Sequence, residues 1–125
     1  MLRYDKNNVE ELKVFLYNSY VHDAKIENVI FNCREDKIEI ELFNPISNVN
    51  MHFTFLDIAI VLKIQGEWAG SPETIISLTV EDDCSYLQKY LRKHCCHTEE
   101  ALYLLFQMFS GDELHIVSKE VFIEM

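Results

Sequence analysis

The sequence predicts an α+β domain: one curved, mainly antiparallel sheet of about six strands, with two helices packed on one face. Three observations carry this expectation. Apolar residues recur at helical spacing near the N-terminus and again over 84–95, apolar and polar residues alternate in several stretches elsewhere, and the alternation changes phase inside those stretches. A phase change within a strand implies a bulge, and bulges bend sheets.

The first helix is expected over "NNVEELKVFLYNSY". Asn8 stands where a cap is needed, Glu11 follows three positions later as in a capping box, and Val9, Leu12, Phe15, Leu16 and Ser19 keep the helical period. Two strands follow, joined by the polar turn "REDK". In the second of them Ile38, Ile40 and Leu42 alternate with Glu39 and Glu41, the pattern of a strand with one wet face. In the first, Ile26 has one parity and Val29, Phe31 and Cys33 the other, which predicts a bulge near Glu27 and Asn28.

After the "NPISN" turn, Val49, Met51, Phe53 and Phe55 share one parity, whereas Leu56, Ile58, Ile60, Leu62 and Ile64 share the other. A long strand bent near Leu56 and Asp57 satisfies this, and so does a short helix over Phe55–Leu62, since a short apolar run is not decided by periodicity. "QGEWAGSP" is loop-like and leads into a strand at "TIISLTVEDD". The second helix is expected from Asp83 to Cys96, with Cys84, Leu87, Leu91 and Cys95 on one stripe. A hairpin closes the chain, turning at Ser110-Gly111-Asp112, with Leu114, Ile116, Val121 and Ile123 as strand residues and a further phase change between Ile116 and Val121.

Length and composition limit the function classes. The chain has 125 residues, 49% of them hydrophobic, which suits a single domain over 1–125. Eleven Lys and Arg against 21 Asp and Glu give a formal charge of −10, a field that repels nucleic acid and anionic membrane and attracts a basic protein partner. "MLRYDKNNVEELK" lacks the apolar core of an export signal, and the run from Phe53 to Ile64 is interrupted by Asp57 and Lys63. A cytoplasmic location is therefore expected, with the four cysteines kept as thiols.

"RKHCCHTEE" is the most chemically conspicuous stretch, with His94, Cys95, Cys96 and His97 consecutive. Structural zinc needs four ligands that converge tetrahedrally from paired positions on two segments, and consecutive residues on a helix point about 100° apart. Only His94 and His97, three apart, are placed to share a metal, and Cys84 and Cys95 read as small core residues. His22 and Asp23 form an "HD" pair similar to the one that supplies two ligands in metal-dependent phosphohydrolases, but no supporting His and Asp helices accompany it. The alternative is a helix-to-strand junction held by backbone hydrogen bonds. Trp68, alone of its type in a loop with two glycines, is a candidate anchor for that loop or for a partner. Glu81, Asp82 and Asp83 fit a helix start better than a calcium loop, and neither a nucleophile elbow nor a phosphate-binding glycine loop occurs. No catalytic residue and no cofactor are expected.

The order of an N-terminal helix, "HDAKI", "EWAGSPETIIS" and "SGDELHIVSKEVFI" resembles a diffuse set of small acidic bacterial proteins, some of which are immunity proteins that neutralise toxins. The resemblance implies a protein-binding role and carries no site residues. The first functional expectation is thus a cytoplasmic binding module whose carboxylates cover a basic partner. The second is a metal-binding or small-molecule-binding domain using the His94–His97 region or a cavity within the sheet, and the third a homodimer formed through a sheet edge.

Overall fold

The computed structural model describes residues 1–18, 21–32, 34–57, 59–63, 73–81 and 101–125. Among these, the chain forms nine strands, one 3-10 turn and one α-helix. In order they are β1 (Leu2–Asp5), the 3-10 turn (Lys6–Asn8), α1 (Val9–Asn18), β2 (Lys25–Asn32), β3 (Lys37–Asn44), β4 (Val49–Leu56), β5 (Ala59–Lys63), β6 (Glu73–Val80), β7 (Leu102–Met108), β8 (Glu113–Ser118) and β9 (Glu120–Glu124). Among the described residues the chain is mostly sheet with one short helix, in two sheets, which corrects the expected α+β arrangement of six strands and two helices. The helix expected from Asp83 to Cys96 lies outside the described residues.

The correction has a physical origin. Two of the phase changes in the sequence are crossings from one sheet to the other, so each apparent long strand is two. β4 pairs with β9 up to Leu56↔Glu120, and β5 pairs with β8 from Ala59↔Val117. Three residues onward along one strand match three residues back along the other, so a single register passes through the corner. The Lys119 amide donates to the Leu56 carbonyl at 3.1 Å, closing the bend. Both sides of residues 57–58 are strand, which excludes the helix over Phe55–Leu62. Strands that switch sheets at corners are characteristic of orthogonally packed sheets.

Asp57 occupies the left-handed region at the corner, with φ 53°. Side chains branched at Cβ are disfavoured there, whereas Asp tolerates it and glycine has no steric cost. Asp57→Val is expected to lose about 1–2 kcal/mol and Asp57→Gly little or nothing. Urea unfolding midpoints of the two variants check this, and equal midpoints would refute the backbone explanation.

One sheet has the order β1-β9-β4-β3-β2 and the other β6-β7-β8-β5, with all described pairings antiparallel. They also meet at a second seam, where Lys25 and Ile26 of β2 pair with Thr74 and Glu73 of β6. With β4 running into β5 and β8 into β9, the ladders close on themselves as a ring of strands. The bulge anticipated in β2 is present: Ile26 faces Leu42 and Asn28 faces Glu41, leaving Glu27 as the extra residue.

Turns are made where the sequence supplies side-chain acceptors. Asn32 Oδ1 accepts from the amides of Arg34 and Glu35 in the β2–β3 turn, at 3.1 and 3.3 Å. Asn44 Oδ1 does the same for Ile46 and Ser47 between β3 and β4, at 2.9 and 3.1 Å. Such bonds imitate a backbone turn, which is why Asn favours these positions. Gly111, with φ 93°, turns β7 into β8. The capping box sits one turn earlier than expected: Asp5 Oδ1 accepts from the Asn7 amide at 2.8 Å and Asn8 Oδ1 from the Asp5 amide at 2.7 Å.

Inside the ring, Phe53 and Phe55 of β4 lie 6.1 Å apart and meet Phe106 of β7 at 6.5 and 6.3 Å between ring centroids. Ile38, Ile40 and Leu42 of β3, Leu104 of β7, Ile116 of β8, and Val121 and Ile123 of β9 complete the core. From α1, Leu12 and Leu16 are buried in it, and Phe15 packs on Tyr4 with centroids 5.9 Å apart. Burial pushes the Tyr4 phenol pKa above its usual value, with Glu11 adding to the effect.

Candidate functional site

The alternation in β3 and β4 that sends Ile38, Ile40, Phe53 and Phe55 inward sends Glu39, Glu41 and His52 outward. Register then decides who meets whom. Glu41 is directly opposite His52 on β3, and Glu124 is directly opposite it on β9. Glu39, on the same face of β3 and diagonal to His52, places Oε1 3.2 Å from His52 Nε2, and Glu41 Oε1 is 3.7 Å from Nδ1. One imidazole is thereby held between two carboxylates of the neighbouring strand.

A cleft of about 560 Å³ opens beside this group, lined by Glu27, Glu41, His52, Asn50 and Glu124, with Leu42, Met51 and Met125 supplying apolar wall. Glu27 is there because it is the bulged residue of β2, set out of the regular ladder. Among the described residues neither Lys nor Arg pairs with Glu27, Glu41 or Glu124. Arg3 of β1, the strand beside β9, is engaged outside the cleft. Arg3 Nε donates to Glu120 Oε2 at 2.7 Å and Arg3 Nη1 lies 3.1 Å from Asp5, and the hydrogen bond to Glu120 holds the guanidinium pKa above its ordinary value. The one guanidinium offsets one of the two charges of Glu120 and Asp5 and none of those in the cleft. Such a site attracts a lysine ammonium or arginine guanidinium, with Asn50 able to donate or accept.

A second polar constellation lies on the outer side of β7 and β8. Tyr103 Oη and His115 Nδ1 are 2.6 Å apart, and His115 Nε2 is 3.7 Å from Glu113 Oε1. Both Tyr103 and His115 are buried, as is Val117 beside them. The phenol and the imidazole nitrogen can each donate or accept, so one proton joins the two side chains across the strands. The group is closed to solvent, which suits a structural clamp between β7 and β8.

Of the residues singled out in the sequence, Trp68, His94 and His97 lie outside the described residues. His22 and Asp23 stand in the turn between α1 and β2. The Asp23 amide donates to the Ile75 carbonyl at 3.0 Å, the His22 carbonyl accepts from Asn44 Nδ2 at 3.2 Å, and Asp23 has φ 67°. Their side chains are 3.5 Å apart, His22 Nε2 to Asp23 Oδ2, and face solvent. They do not line the cleft. Among the described residues no group of three or more His, Cys, Asp or Glu is arranged to hold a metal ion. The glutamates and His52 of the cleft were missed in the sequence. Alternation alone assigns their face, but their meeting depends on the β3–β4–β9 register.

No family model matches the chain, and no curated protein matches it. Among solved structures it is similar to an uncharacterised protein from Neisseria gonorrhoeae, with a TM-score of 0.54 and 11% identity over 83% of this chain and 92% of that one. At that identity the likeness concerns the fold. No helix among the described residues is long and apolar enough to cross a membrane.

Proposed function

We propose that the protein is a cytoplasmic binding module that captures a basic protein partner, in the manner of a toxin-neutralising immunity protein, through the acidic cleft around His52. The observation that carries this reading is the convergence of Glu27, Glu41 and Glu124 on one cleft, with Arg3 committed elsewhere. The formal charge of −10 supports it, because a field of one sign steers an oppositely charged partner and raises association rates. A cleft with carboxylates on its rim and Leu42 and Met51 in its wall suits a side chain with an apolar stem and a charged head, as Lys and Arg have.

The test compares the wild type with Glu41→Lys/Glu124→Lys. Partner capture from cells that express the protein is expected to retain a basic protein on the wild type and lose it on the variant. Association measured with that purified partner is expected to slow about tenfold or more between low and high salt. A partner held equally by both chains, or with no salt dependence, would remove the cleft from the account.

A further inference from the structure

Among the described residues, β2 has an edge that the ring leaves open. It pairs with β3 along its length but with β6 only at Lys25 and Ile26, so among the described residues no strand runs along the other side of 28–32. Here Val29, Ile30 and Phe31 are 36%, 44% and 58% exposed. Val29 stands opposite Ile40 and Phe31 opposite Ile38, both buried, so Val29 and Phe31 carry the core-facing side out past the rim. Ile30 stands opposite Glu39 on the outer side. Edge strands in soluble proteins are normally short or charged. β1, at the other end of its sheet, is both, with four residues that include Arg3 and Asp5. β2 has eight residues and no charge from 28 to 32.

We propose that this edge pairs with the same edge of a second copy of the chain, β2 against β2, antiparallel about a two-fold axis through Ile30. Asn28-Val29-Ile30-Phe31-Asn32 reads polar, apolar, apolar, apolar, polar in both directions. Antiparallel pairing about Ile30 sets Asn28 against the partner's Asn32, Val29 against the partner's Phe31, and Ile30 against the partner's Ile30. Two Val–Phe pairs then fall together on the core-facing side, and aromatic with β-branched residues are favourable cross-strand pairs. The contact is isologous, as a closed dimer requires. Charge selects the occupant. A chain of net charge −10 tolerates self-contact only where no carboxylates oppose each other, and 28–32 is such a stretch. A basic strand from another protein would find no carboxylate along it to match.

Sedimentation velocity on the full chain tests the pairing, using the wild type, Ile30→Lys and Ile30→Glu, each alone and the two variants mixed. The wild type is expected to sediment as a dimer, more completely as added salt screens the repulsion between acidic copies. Each variant alone sets like charges against each other on the axis and is expected to be a monomer. Mixing them sets Lys against Glu and restores the dimer, which also shows that both variants are folded. A wild type that stays monomeric at all concentrations and salts overturns the proposal. So do variants that dimerise alone, or a mixture that remains monomeric beside a dimeric wild type.

Discussion

Phe53→Ala is expected to lower the unfolding free energy by about 3–5 kcal/mol, the usual cost of emptying a buried phenylalanine site. Phe53 is fully buried and touches the ring from two sides, stacking on Phe55 at 6.1 Å and meeting the edge of Phe106 at 6.5 Å. Those two partners belong to opposite sheets. Alanine at 53 would leave a cavity that the strands cannot close by moving together, because their spacing is fixed by ladder hydrogen bonds. Of the total stability of an ordinary domain, about 5–15 kcal/mol, this is a large part. Urea unfolding measures it. A loss of about 1 kcal/mol or less would mean that the aromatic cluster collapses freely, and that the ring is less rigid than its ladders imply.

Tyr103→Phe is expected to cost about 1–3 kcal/mol, although only one oxygen is removed. The hydroxyl is 2.6 Å from His115 Nδ1 in a buried position, so deletion takes away a bond that water does not replace. Adding His115→Leu should recover part of the loss, since replacing both partners of a buried bond with apolar groups is far milder than removing one. Urea midpoints of the two single variants and the double variant form the cycle that isolates the pair. If the losses simply add, the 2.6 Å contact contributes no specific stability.

The sequence made local geometry legible and left the meeting of distant segments illegible. Alternation in "KIEIELFN" identifies which side of β3 is wet, and the parity break at Glu27 locates the bulge. Gly111 marks its turn because a positive φ is needed there. The fold class failed at Leu56–Asp57 and between Ile116 and Val121. A phase change has two solutions, a bulge within one sheet or a crossing into another, and only the pairing of β5 with β8 separates them. β1 gave no signal, since four residues are too few to show alternation. The candidate site was hidden for the same reason. Each glutamate looked like ordinary wet-face charge until register set Glu41 and Glu124 on either side of His52.

The shared corner also bears on how the chain reaches this structure. Because β4 runs into β5 and β9 into β8 without a change of register, the pairing at Leu56↔Glu120 determines the pairing at Ala59↔Val117. These rungs join segments separated by most of the second half of the chain, so a long loop must close before either sheet gains its contacts. Closure has a high entropy cost and a single acceptable alignment. Folding is therefore expected to be a slow search, in roughly the millisecond-to-second range typical of nonlocal all-β topologies. Once the corner is in register, both sheets are aligned in the same step.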